Sequence, residues 1–111
     1  MPNRHTSVPM MFARNPSRTR LDVGVTRGFP AAHPARLARV IRQDVWRACQ
    51  RQRGFSPVIR IEETAEGLAV TAGAQIDGKF PRVHLEARIA AVLDDPANRA
   101  RWMRSASKHD D

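Results

Sequence analysis

Apolar positions along this chain change their spacing several times, and each change marks an element. Leu21, Val23 and Val25 alternate with Arg20, Asp22, Gly24 and Thr26, and a period of two predicts a half-buried strand over 21–26. Gly24 inside it marks a weak point or a close backbone approach. From Pro34 the period lengthens: Leu37, Val40, Ile41, Val45 and Ala48 recur at helical spacing. Pro34 suits a first helical position, where its missing N–H has no partner to lose, and Gly54 offers a stop. The spacing therefore predicts a helix over 34–53. Val58, Ile59 and Ile61, then Leu68 and Val70, predict two strands around the turn Thr64-Ala65-Glu66-Gly67, with Gly67 free to take positive φ. Asp77-Gly78 is a further turn. Leu85, Ile89, Val92 and Leu93 share one face of a helix beginning at Pro81, and Asp95-Pro96 opens a third, short helix with Asp95 as its N-cap.

The order is β-α-β-β-α-α. It predicts an α+β domain over residues 19–106, with a three-stranded, mainly antiparallel sheet covered by helices. Residues 107–111 read as a polar, frayed tail. Residues 1–18 form a basic arm punctuated by Pro2, Pro9 and Pro16, whose one apolar island, Val8 to Phe12, is either a short edge strand or an anchor onto the core. Four Arg and no acid precede Asp22, a presequence-like composition, but the prolines interrupt any amphipathic helix there. No apolar run has the length of a membrane span or of a signal-peptide core.

Two segments resemble each other. "FPAAHPARLARVI" starts at Phe29 and "FPRVHLEARIAAVL" at Phe80; with one residue inserted, Phe, Pro, His, Ala, Arg, Ala and Val recur in order. Each lies between a predicted strand and a predicted helix. The pattern predicts two strand–loop–helix units separated by one extra strand, with Phe29 and Phe80 packing the two helix starts against the core.

Charge is unevenly distributed along the chain. Residues 1–60 contain twelve Arg and two acids, whereas residues 61–111 contain seven bases and nine acids. A first half this basic suits an anionic partner. The preference for Arg, seventeen against two Lys, is also what a GC-rich genome writes whatever the function. The single Cys49 excludes an intrachain disulfide and fits a reducing, cytoplasmic compartment.

Candidate chemistry is sparse. His33 and His84 hold equivalent places in the echo, but two His without thiols or paired carboxylates make a thin metal site. Cys49 has no Cys-centred signature around it, and a place near a helix C-terminus disfavours a thiolate. Glu62 and Glu63 are adjacent in a strand and face opposite ways. There is no Gly-rich phosphate loop. No catalytic residue, metal or cofactor is therefore expected. Trp102 reads as a dock for the last helix.

Trp46 is the most informative residue. It lies nine positions after Leu37, half a turn round the helix from the apolar stripe, with Arg39, Arg42, Gln43, Cys49, Gln50 and Arg53 around it. Guanidinium groups meet phosphates and an indole offers a stacking plane. Trp and Arg are also over-represented at protein-binding hot spots. The expectation is a small, basic, non-enzymatic protein that contacts nucleic acid or another polyanion. The face comprises Arg39, Arg42, Trp46, Gln50 and Arg53 of the first helix, with Arg14, Arg18 and Arg20 of the arm and its continuation. The alternative is a protein-interaction module (an inhibitor, an assembly factor or a small subunit) using the same face on an acidic protein surface. Neither reading involves a membrane or a small-molecule substrate, and no base-reading motif separates DNA from RNA.

Overall fold

A computed structural model describes residues 8–107. The first seven residues of the basic arm, and residues 108–111 of the tail, lie outside the described part. The elements are β1 (Met10–Phe12), a 3₁₀ turn (Pro16–Arg18), β2 (Val23–Phe29), α1 (Pro34–Cys49), β3 (Phe55–Thr64), β4 (Gly67–Ile76), α2 (Arg82–Asp94) and α3 (Pro96–Ser105).

The domain is α+β, with an antiparallel sheet and three helices, but the sheet has four strands rather than three, in the order β1-β3-β4-β2. The strand missing from the predicted order is β1. Three residues carry too little alternation to be read as a strand, and it forms because Met10, Met11 and Phe12 pair with Ile61, Arg60 and Ile59. Since β4 is antiparallel to both β2 and β3, the latter two run parallel with β4 inserted between them. Helix α1 makes the connection that such a parallel pair requires.

All three helices cover one face of the sheet. Val23, Phe29, Ile59, Ile61, Leu68, Val70, Ala72, Ala74 and Ile76 supply the sheet side of the core. Leu37, Ala38, Ile41, Val45 and Cys49 of α1 and Leu85, Ile89 and Leu93 of α2 supply the helix side. Trp102 of α3 is fully buried; its ring centroid lies 6.2 Å from that of Phe29, tilted by 46°.

Several boundaries differ from the expected ones. Helix α1 stops at Cys49, not Arg53, because Cys49 is its last buried residue; beyond it only Arg and Gln follow, with nothing apolar to hold another turn. The Gln52 N–H bonds the Cys49 carbonyl and the Phe55 N–H bonds that of Gln52, turning the chain so that Phe55 enters the core. Strand β3 begins at Phe55 rather than Val58, since Pro57 sits where β1 does not reach and needs no N–H on that side. Strand β2 starts only at Val23. Just before it the Asp22 N–H bonds the Ala74 carbonyl, but the Ile76 N–H goes to the Asp22 carboxylate at 2.8 Å instead of to a further backbone carbonyl.

The segment between β1 and β2 must cross from one edge of the sheet to the other, and it does so over the face that lacks helices. Thr19 Oγ1 and the Arg20 N–H donate to Gln75 Oε1 at 3.2 and 3.1 Å. Gly73 admits no side chain there, because a Cβ on it would lie 1.8 Å from the Val23 carbonyl oxygen. The β3–β4 hairpin turns in two residues, Ala65 and Glu66, and Gly67 has the expected positive φ, 153°.

Candidate functional site

The open part of β3 defines the principal cleft. Strand β1 pairs only with Ile59–Ile61, so Phe55 to Val58 have no partner strand on that side. Helix α1 and the chain leaving β1 flank this unpaired edge. The space between them, about 490 Å³, is lined by Arg14, Arg39, Arg42, Gln43, Trp46, Phe55, Ser56 and Pro57. That volume falls within the range of ligand clefts.

Each group reaches the cleft for a reason in the sequence. Trp46, Arg39, Arg42 and Gln43 project from the side of α1 away from Leu37 and Ile41, which are fully buried. Trp46 is 41% exposed, a large fraction for an indole in a folded domain. Arg14 follows Phe12 by two residues and is exposed. Phe55 and Pro57 lie on the helix-facing side of β3 and make the floor apolar.

The cleft lining holds three guanidinium groups and no carboxylate. The ion pairs of the described residues use other arginines: Arg20, Arg27, Arg47, Arg82 and Arg101. Arg14, Arg39 and Arg42 make no ion pair among the described residues. Arg42 Nε is moreover buried with no hydrogen-bond partner among them, a costly state for a cationic donor. The other donor in that condition, Arg60 Nε, belongs to a residue pointing to the opposite face of the sheet.

Of the residues singled out from the sequence, Arg14, Arg39, Arg42 and Trp46 converge. The remaining four do not line the cleft. Gln50 Nε2 donates to the Arg47 carbonyl at the end of α1. Arg53 lies beyond the helix end, so its helical spacing from Trp46 is lost. Arg18 is exposed in the 3₁₀ turn. Arg20 pairs with Asp22 at 2.9 Å and approaches Asp77 at 3.7 Å. Phe55, Ser56 and Pro57, which also line the cleft, are not among the residues that the helical pattern singles out. Pro57 was the available signal: a proline within a strand implies an edge without a ladder partner.

The other candidates lie apart from this cleft. Cys49 is buried, and burial pushes its thiol up, with Arg88 partly opposing; a protonated thiol is a poor nucleophile. It lines a smaller cleft of about 240 Å³ with His84 and Arg88. His33 is the N-cap of α1, and its backbone N–H donates to the Ala106 carbonyl at 2.9 Å. Among the described residues no three His, Cys, Asp or Glu side chains are grouped to hold a metal ion. No helix there is long and apolar enough to cross a membrane. Comparisons with protein-family models, curated proteins and solved structures find no match for this chain.

Proposed function

We propose that this protein is a non-enzymatic binder of nucleic acid or a similar polyanion, and that the cleft between α1 and the open edge of β3 is its contact site. The observation that carries the reading is the convergence of Arg14, Arg39 and Arg42, without a carboxylate, around the exposed indole of Trp46. Anionic oxygens give these guanidiniums the partners that the fold withholds. The bias of basic charge toward residues 1–60 adds long-range attraction toward the same end of the chemistry.

The test is a salt titration of binding to a labelled oligonucleotide. Three arginine contacts to a single strand give a log–log slope of about −2, each contributing roughly −0.7. Arg42→Ala should reduce the slope by about one contact and leave the circular dichroism spectrum unchanged. Failure of the folded wild type to bind any oligonucleotide or heparin at low salt would exclude this reading. Capture of an acidic protein partner that depends on Trp46 would then favour the interaction-module alternative.

A further inference from the structure

We infer that the cleft takes an unpaired nucleobase, so that the preferred ligand is single-stranded nucleic acid rather than duplex; this rests on the polyanion reading and narrows it. Phosphate recognition alone asks for cations on an accessible surface. This cleft offers more: Phe55 and Pro57 line it with apolar surface, together with an indole that is 41% exposed and three guanidinium groups. In a duplex the faces of the bases are covered by their neighbours, and a base reaches an aromatic side chain only after leaving the stack. An unpaired base presents that face directly and is sequence-tolerant in doing so.

The polar groups fit the same ligand. Arg14 and Arg39 are exposed in the cleft lining, and phosphate or base carbonyl oxygens supply acceptors for their guanidiniums. Gln43 adds an amide that hydrogen-bonds base edges or sugar hydroxyls. Acids are absent from the lining, so nothing in it repels the phosphate that accompanies the base.

Three ligands separate the terms: an oligothymidylate, an abasic oligonucleotide of equal length, and a hairpin duplex with as many phosphates. Fluorescence anisotropy gives affinity. Quenching of intrinsic emission reports on Trp46, since Trp102 is fully buried. The oligothymidylate should bind tightest and quench. Trp46→Ala should weaken it about 5- to 150-fold, the loss expected for one base taken off an aromatic platform, and Trp46→Phe should retain most of the affinity. Binding of the abasic strand and the duplex should be weaker and indifferent to Trp46. Equal binding of all three ligands, unaffected by Trp46→Ala, overturns the inference and leaves the polyanion reading standing. No binding of any of them removes both. If Trp46→Ala does not fold, Trp46→Phe and the comparison of oligothymidylate with abasic strand decide the matter.

Discussion

Asp44 shows how a single polar residue on a mostly apolar interface can determine where a helix docks. Its Oδ2 accepts from Trp102 Nε1 at 2.7 Å and from Arg101 at 2.9 Å, and its Oδ1 accepts from Arg47 at 3.3 Å. The indole is thus buried without stranding its N–H, as a buried Trp requires. Asp44→Ala leaves that donor unpaired and should cost roughly 1–3 kcal/mol, read as a lower urea midpoint. A change under about 0.5 kcal/mol, the usual size for an inconsequential surface substitution, would show that the bond contributes little. Trp46 and Trp102 have opposite fates: one lines a cleft, the other is core. Helical spacing from Leu37 indicated the first, because α1 has one dominant apolar stripe. The partner of the second lies 58 positions away and leaves no trace in local pattern.

At the level of elements, the two Phe-Pro-x-x-His segments do connect a strand to a helix each, β2 to α1 and β4 to α2. Their cores superpose in sequence: Leu37 and Ile41 correspond to Ile89 and Leu93, all fully buried. The starts do not. Phe29 ends β2 and is 5% exposed, with the Arg99 guanidinium 3.9 Å from its ring centroid. Phe80 lies past the end of β4 and is only half-buried, its ring covered by Arg82 at 5.2 Å. Helix α2 begins right after Pro81, whereas α1 waits until Pro34. Phe29→Ala should therefore cost about 3–5 kcal/mol, and Phe80→Ala distinctly less, about 1–2 kcal/mol for a half-buried ring. Equal losses in chemical denaturation would restore the equivalence that the sequence echo suggested and this packing denies.

For the whole molecule, acid should be destabilising through carboxylates that the fold holds ionised. The Ile76 N–H keeps Asp22 below its ordinary range, aided by Arg20 and opposed by burial; Arg27 does the same for Asp94 through a hydrogen bond at 2.8 Å. A depressed folded pKa means that the folded state binds fewer protons than the unfolded one. The stabilisation is complete above the unfolded value, about 4, and is lost as pH falls through the folded one. Thermal denaturation from about pH 6 down to about pH 3 should show falling stability, with a shallower decline in Asp22→Asn. An Asp22→Asn profile parallel to wild type would remove this cause.

How much was legible in the chain follows from the range of the forces involved. Periodicity and capping act within a few residues, so the α+β class, three helices, the Asp95 cap, the tight turn at Gly67 and the solvent-facing side of Trp46 could all be read locally. Pairing acts between residues far apart. That Met10–Phe12 would find Ile59–Ile61, that β4 would part β2 from β3, and that Arg14 would be carried to the Trp46 face depended on which strand edges met. Helix α1 ended before Arg53 because no core remained to hold it. The sequence by itself determined the amphipathic face; the tertiary structure decided that this face lies beside a strand edge without a ladder partner, because long-range pairing stops β1 at Ile59, short of Phe55 to Val58.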